Sequence, residues 1–179
     1  MRTVSRTHRS KVVELLIERL AFERATIKLY DTVLEKLRPR GGPYASVKAH
    51  LRHIREEEKA HEDWLEEQLQ TLGGDAHVET DRSLLVRREW RRIEEDAGGD
   101  QEPADLFHAL LNAEVIDNAG WELLLELADR AHDGEAREAF QQRLHEEQEH
   151  LLFVSHIAAV FARSGVLDET VTTLEEASV

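Results

Sequence analysis

Two five-residue stretches, Glu57-Glu58-Lys59-Ala60-His61 and Glu146-Glu147-Gln148-Glu149-His150, decide the fold. Each contains a Glu-x-x-His step, in which a carboxylate precedes an imidazole by three residues. Residues three apart share one face of an α-helix, so both side chains of a step can reach one point. The spacing alone is weak evidence for a functional site, because 10 histidines in an acidic chain of 179 residues produce such steps by chance. The positions of the steps along their helices therefore carry the argument.

The composition indicates an all-α domain with a sizeable core. Leu, Ala, Glu and Arg dominate the chain, which has only three prolines. A net charge of −14 argues against nucleic-acid binding, which needs a basic face. The absence of cysteine excludes disulfides, iron–sulfur clusters and thiolate zinc sites. Neither an apolar run of membrane-spanning length nor an apolar signal core is present, so we expect a soluble cytoplasmic protein without a membrane partner.

Turn signals divide the chain into four long helical segments and one long connection. The expected divisions are a loose basic arm, a helical bundle, and an acidic tail or short helix, at residues 1–10, 11–164 and 165–179. The expected bundle helices lie at about residues 11–37, 43–72, 103–130 and 134–163. A structureless connection as long as residues 73–102 is unusual in a compact domain. We therefore predict a crossover that contains a short extra helix at about residues 80–96.

Each long helix carries a line of apolar residues at alternating spacings of three and four, which is typical of the inward face of a bundle helix. A glutamate interrupts this line on every helix, and a histidine follows it on two of them. The interrupting residues are Glu23, Glu58, His61, Glu114, Glu147 and His150. Buried carboxylates destabilise a fold unless they are paired or bound to a metal. Glu57 and Glu146 lie beside these lines and are expected to be solvated, with a one-residue shift of register, which would bring them into the lines, as the alternative.

The interrupting residues are also expected at one height in the bundle. Two antiparallel helices are level at positions equally far from the turn that joins them. Glu23 and Glu58 are equidistant from the break at residues 39–43, and Glu114 and Glu147 are nearly equidistant from the break between their helices. Both pairs therefore lie roughly 25 Å from their turns, at ~1.5 Å per residue. Four carboxylates and two imidazoles can then hold a pair of metal ions.

This pattern resembles the ferritin-like di-iron carboxylate proteins, in particular the bacterioferritin and rubrerythrin branch. The resemblance spans about residues 11–164 and rests on the order Glu, Glu-x-x-His, long crossover, Glu, Glu-x-x-His. It implies an all-α, ferritin-like four-helix bundle in which Glu58 and Glu147 bridge two Fe ions. The implied terminal ligands are Glu23 with His61 at one ion and Glu114 with His150 at the other. These six residues would be both the metal ligands and the catalytic residues.

Three further places in the sequence are candidates for contacts with the ligands, namely Tyr30, the adjacent residues Asp117 and Asn118, and Trp121. Tyr30, seven residues after Glu23, matches the tyrosine beside the metal site in bacterioferritin-like proteins, with a plain core aromatic as an equal alternative. Asn118 is placed to hydrogen-bond a ligand, as is Asp117, with a simple buried polar contact as an equal alternative. Trp121 is a third candidate, for which a core aromatic is the commoner interpretation.

The chain departs from the family pattern in ways that narrow its function. Its one methionine is Met1, so the methionine-ligated haem between bacterioferritin subunits is not expected. Without cysteine, a rubredoxin domain that would donate electrons is not expected either. The crossover from Glu58 to Glu114 is longer than that of a bacterioferritin, so a 24-subunit storage cage is not implied. We expect a homo-oligomer, a dimer or larger.

The carboxylate and imidazole donor set suits iron or manganese better than a metal that seeks thiolates. The leading hypothesis is a ferroxidase-type oxidoreductase that holds two Fe ions and oxidises Fe(II) with O2 or H2O2. Two Mn ions, or mixed Fe and Mn, remain alternatives, as do a rubrerythrin-like peroxidase and a di-manganese catalase. Alternatives from other classes are a non-catalytic iron-binding, storage or interaction bundle, and a small-molecule oxygenase.

Overall fold

The computed structural model describes residues 2–167, with the side chains of residues 8–95 and 97–167. This range contains five helices and no strand. The helices are α1 (Arg2–Leu37), α2 (Tyr44–Thr71), α3 (Asp81–Ala97), α4 (Pro103–Arg130) and α5 (Gly134–Leu167). The predicted all-α class is confirmed, with four long helices and a shorter one in the crossover between α2 and α4.

The four long helices enclose a core of two apolar clusters. Members of the first cluster include Tyr30, Leu37, Leu51, Phe107 and Ile157. Members of the second cluster include Leu16, Leu65, Trp121, Phe140 and Leu144. Each fully buried Leu or Phe side chain stabilises the fold by about 1.5–3 kcal/mol. The clusters lie on either side of a buried polar layer, and their packing offsets the free energy needed to desolvate it.

Helix α3 packs on the outside of the bundle against α1 and α4. Thr80 and Ser83 form a capping box at its start, in which the Ser83 backbone N–H donates to Thr80 Oγ1 at 3.1 Å. Its buried residues recur at helical spacing and are Val86, Trp90, Ile93 and Ala97. The Trp90 ring meets the Phe22 ring edge-on, with 4.7 Å between centroids. Trp90 therefore anchors α3 to the side of α1 that faces away from α2.

The helix ends differ from two expectations. The predicted loose arm over residues 1–10 is incorrect from Arg2 onward, since α1 begins there and has non-helical dihedrals at His8 (φ −137°, ψ 35°). Helix α5 continues through Ser164 and Gly165 to Leu167. A single glycine weakens a helix by only about 1 kcal/mol, which one turn of packing can offset. The predicted acidic tail lies outside the described residues from residue 168 onward.

Helix α5 is, by length and composition alone, apolar enough to cross a membrane, the one such helix within residues 2–167. The core helix of a soluble bundle passes the same test. Helix α5 buries Phe140, Glu147, Phe153 and Ile157. Packing inside the bundle accounts for part of its apolar character, since 33% of its most apolar 18-residue window is buried.

Candidate metal centre

The polar layer between the two apolar clusters consists of the predicted ligands. All of them expose 2% or less of their surface to solvent, namely Glu23, Glu58, His61, Glu114, Glu147 and His150. They form two sets, and within each set the ligand atoms lie within 4.8 Å of one another. The first set is Glu23, Glu58, His61 and Glu147, and the second is Glu58, Glu114, Glu147 and His150. Glu58 and Glu147 belong to both sets.

Both imidazoles point their Nδ1 atom into the layer. His61 Nδ1 lies 2.9 Å from Glu147 Oε1 and 3.8 Å from Glu23 Oε2. His150 Nδ1 lies 3.5 Å from an oxygen of Glu58 and 3.5 Å from one of Glu147. The Nδ1 atoms and carboxylate oxygens therefore converge from all four long helices.

The opposite nitrogen of each imidazole is held by a carboxylate from the other Glu-x-x-His helix. His61 Nε2 lies 2.8 Å from Glu146 Oε2, and His150 Nε2 lies 2.9 Å from Glu57 Oε2. The expectation that Glu57 and Glu146 are merely solvated is wrong, since they are only 30% and 27% exposed and bond the histidines. The sequence does contain an indication of this role, because in both stretches a second glutamate directly precedes the predicted ligand glutamate. Such a bond fixes the tautomer and orientation of a metal-binding imidazole.

The two outer glutamates each have one oxygen occupied by a donor from the protein. Glu114 Oε1 accepts a hydrogen bond of 2.5 Å from the hydroxyl of Tyr30, which is fully buried. Glu23 Oε1 lies 3.0 Å from Nε of Arg19, which is 6% exposed. Oε2 of Glu114 lies 3.9 Å from His150 Nδ1 and is the oxygen turned toward the shared carboxylates. Tyr30 thus contacts a predicted ligand directly.

Arg19 and Asp117 form a buried ion pair beside the layer. Arg19 Nη2 lies 2.8 Å from Asp117 Oδ1, and Arg19 Nη1 donates to the Asp117 backbone oxygen at 3.3 Å. Arg19 is not among the residues predicted from the sequence, although it lies four residues before Glu23. Asn118 is only half-buried, and its Nδ2 donates to the backbone oxygens of Glu114 (3.0 Å) and Glu147 (2.9 Å). Asn118 therefore joins α4 to α5 through backbone carbonyls, while Asp117 occupies the buried position.

Trp121 packs directly against the layer. Its ring centroid lies 5.5 Å from that of His61, with the planes at 67°. The side chain is completely buried, and its Nε1 has no hydrogen-bond partner among the described residues. Trp121 thus has the surroundings of a core aromatic and also restrains the His61 ring.

The layer retains protons when no metal is bound. Burial raises the pKa of Glu58 well above its ordinary value, and repulsion by Glu147 adds to this shift. Burial likewise raises the pKa of Glu114, to about 8. Burial disfavours the charged forms of Glu147 and His61 as well, but the interactions of Glu147 with His150 and His61, and those of His61 with Glu146 and Glu147, outweigh it. The pKa of Glu147 therefore falls to about 2 and the pKa of His61 rises to about 9.

The donor atoms of the layer fit a cation. Both carboxylate oxygens of Glu58, Oε2 of Glu23 and Oε2 of Glu114 are buried without a hydrogen-bond partner among the described residues. Each such orphaned group destabilises a fold by about 1–3 kcal/mol unless something neutralises it. Carboxylate oxygens and imidazole nitrogens are donors that iron and manganese accept. Divalent ions could thus replace the protons that the layer retains.

Comparison with solved structures reveals a likeness in fold. The chain is similar to the bacterioferritin of Desulfovibrio desulfuricans, whose structure describes a diiron site in different catalytic states. The TM-score is 0.69 at 19% sequence identity, over 95% of this chain and 88% of that chain. No protein-family model matches the sequence, and no curated protein matches it. The chain thus has the ferritin-like four-helix-bundle fold of bacterioferritin, with a buried carboxylate and histidine cluster compatible with a di-iron site.

Proposed function

We propose that this protein is a di-metal oxidoreductase that oxidises Fe(II) with O2 or H2O2 in the core of its bundle. The observation that carries the proposal is the pair of four-residue sets that share Glu58 and Glu147. A carboxylate common to both sets can bridge two ions. The structurally similar bacterioferritin has a diiron site, which supports iron as the metal.

The donor set suits two divalent ions in number and in charge. Glu58 and Glu147 are the bridging ligands. The terminal ligands are Glu23 with His61 at the first position and Glu114 with His150 at the second. Four carboxylates balance the charge of two divalent ions, and two neutral imidazoles complete the set. This balance removes the large desolvation penalty of four buried carboxylates.

Two Fe(II) ions supply two electrons, which with two protons reduce O2 to H2O2 or reduce H2O2 to two waters. The chain holds and shields the centre. Glu57 and Glu146 orient the imidazoles, and the apolar clusters keep bulk water away. Neither oxygen of Glu58 accepts a hydrogen bond from the described residues, so this carboxylate would be free to change between one- and two-oxygen binding.

Anaerobic loading with Fe(II), followed by exposure to air or to H2O2, tests the proposal. We expect about two Fe ions per chain, and Fe(III) absorbance that develops with the oxidant. Glu58→Ala and Glu147→Ala should abolish the oxidation. Glu56→Ala and Glu149→Ala are matched controls, because these neighbouring glutamates are exposed. Oxidation in the Glu58→Ala protein at the parent rate would disprove the assignment, and binding without oxidation would favour a storage or interaction bundle.

The metal, the oxidant and the assembly each have a direct measurement. Elemental analysis of protein purified without added metal distinguishes iron from manganese. Faster turnover with H2O2 than with O2 would favour a peroxidase. Evolution of O2 from H2O2 would favour a catalase. We propose a homo-oligomer, and light scattering gives its mass; a large hollow assembly would favour storage.

A further inference from the structure

The two outer glutamates are held in the same way by donors of different charge. The Tyr30 hydroxyl, a neutral donor, occupies one oxygen of Glu114. The Arg19 guanidinium, a cationic donor, occupies one oxygen of Glu23. Each glutamate keeps its Oε2 for a metal, 3.8 Å (Glu23) or 3.9 Å (Glu114) from the Nδ1 atom of the histidine in its own set. The two halves of the site are therefore alike in geometry and unlike in charge.

The helical register explains why Glu23 is contacted by Arg19 and not by a residue equivalent to Tyr30. Tyr30 lies seven residues after Glu23 on α1 and reaches across to Glu114 on α4. The equivalent position on α4, seven residues after Glu114, is Trp121, whose Nε1 has no hydrogen-bond partner among the described residues. The Arg19 guanidinium instead lies 5.7 Å from the Trp121 ring centroid and forms an ion pair with Glu23.

The structure holds Arg19 firmly in place. Its guanidinium contacts Asp117 twice and lies 4.3 Å from the Phe22 ring centroid. A Cβ atom at Gly120 would come within 1.9 Å of Arg19 Nη1, so the guanidinium keeps this position only beside a glycine. Glycine inside a helix lowers its stability by about 1 kcal/mol relative to alanine. At Gly120 the missing side chain leaves room for the guanidinium, at the expense of this helix stability.

We propose that Arg19 is a positioning residue that makes the two metal positions unequal. It restricts Glu23 to binding through one oxygen, and its charge opposes a cation at the position bounded by Glu23 and His61. The position bounded by Glu114 and His150 therefore fills first. This inference rests on the proposed two-metal site and adds an order of filling and the residue that sets it.

Stepwise titration of metal-free protein with Co(II), followed by calorimetry and by the visible spectrum of the bound ion, tests the inference. The parent should bind two Co(II) ions with affinities that differ by about tenfold or more, the scale of a nearby charge partly offset by Asp117. Glu114→Gln should abolish the tight event. Glu23→Gln should leave it and abolish the weak one.

Two changes at the guanidinium test its role directly. Arg19→Gln should strengthen the weak event and bring the two affinities together. Gly120→Ala should do the same without a change of charge, since it displaces the side chain. If the Arg19→Gln protein does not fold, the double variant Arg19→Gln with Asp117→Asn replaces it in the test, because the double variant leaves no unpaired buried charge. Arg55→Gln is the matched control, since Arg55 pairs with Asp31 between α1 and α2 at a more exposed position.

The outcomes separate the inference from the function on which it rests. Equal affinities in the parent, a tight event that survives Glu114→Gln, or a ratio that all changes at Arg19 and Gly120 leave unaltered would each overturn the inference. Failure of the parent to bind Co(II) would overturn the proposed metal site itself. A shift in the Arg55→Gln protein as large as that in Arg19→Gln would show a general charge effect and also overturn the positioning role.

Discussion

The two histidines of the site are supported reciprocally. Helix α2 contributes His61 and the carboxylate of Glu57 that holds His150, while α5 contributes His150 and the carboxylate of Glu146 that holds His61. Each Glu-Glu-x-x-His stretch therefore contains a carboxylate that belongs to both four-residue sets, an imidazole and the support for the opposite imidazole. A carboxylate on the outer nitrogen raises the basicity of a metal-binding imidazole. The reciprocal bonds thus connect α2 and α5 across the bundle at ligand height.

Replacing a supporting carboxylate should weaken metal binding. Glu146→Gln keeps the shape of the side chain but removes its charge, so His61 should be less basic and less firmly oriented. We expect the affinity for Co(II) or Mn(II) to fall by about 10–100-fold, as for other partners of metal-binding histidines. Glu57→Gln should act likewise through His150. The control is Glu149→Gln on the exposed face of α5, and an unchanged affinity for both Gln variants would make the carboxylates simple solvated partners.

The sequence predicts that the six polar residues interrupt the apolar lines, and the structure buries all six, but the sequence does not reveal every residue that contacts them, for a geometric reason. A glutamate inside a line of leucines stands out, so Glu23 and Glu147 could be found from spacing alone. Arg19 lies beside the apolar line of α1. Its four-residue spacing to Glu23 is typical of an ordinary ion pair on the surface of a helix. On α4 the sequence makes Asn118 and Asp117 equal candidates, whereas the structure buries Asp117 and leaves Asn118 half-buried. A helix turns by about 100° per residue and drifts from a strict heptad, so neighbouring positions exchange roles over a few turns.

At the scale of elements, α3 closes the side of the bundle formed by α1 and α4. The unusual length of the connection predicted this helix correctly. Its orientation was not predictable, because Leu84, Leu85 and Val86 are adjacent apolar residues that cannot all face inward. The structure buries Val86 and leaves Leu84 and Leu85 exposed, at 37% and 47%. Trp90 selects this face, since its ring packs on Phe22 of α1.

Removing the Trp90 ring should therefore destabilise the fold strongly. Trp90→Ala should lower the free energy of unfolding by about 3–5 kcal/mol, the usual effect of deleting a large buried aromatic side chain. Leu85→Ala on the exposed face of the same helix should change it by less than about 0.5 kcal/mol. Urea unfolding followed by circular dichroism measures both. Similar losses in the two proteins would contradict the assigned orientation of α3.

At the scale of the whole molecule, a polar layer crosses the middle of an otherwise apolar core. The two apolar clusters hold the four long helices level, so the layer persists although its carboxylates repel one another. Without metal, protons reduce this repulsion, because burial raises the pKa of both Glu58 and Glu114. The stability of the metal-free bundle is therefore linked to pH.

The sign of this dependence follows from two groups. Burial lowers the pKa of His61, but hydrogen bonds to Glu146 and Glu147 outweigh it and raise the pKa from 6.5 to about 9, so its stabilising effect is complete below pH 6.5 and is lost by pH 9. Burial raises the pKa of Glu114 from 4.5 to about 8, so the folded protein retains a proton that the unfolded chain releases. Between pH 6.5 and 8 the folded state binds more protons, and its stability must fall as the pH rises.

Urea unfolding at pH 6.5 and pH 8, the window set by these two groups, measures the effect. Metal-free protein should lose stability across this window, and Glu114→Gln should lose less because one of the two titrating groups is gone. Metal-loaded protein should lose still less stability, or gain stability, since the ions replace the protons and bind more tightly as the ligands deprotonate. A metal-free protein that gains stability over the same window would contradict the retention of protons in the layer. Such a result would mean that the carboxylates of the core are ionised before any metal arrives.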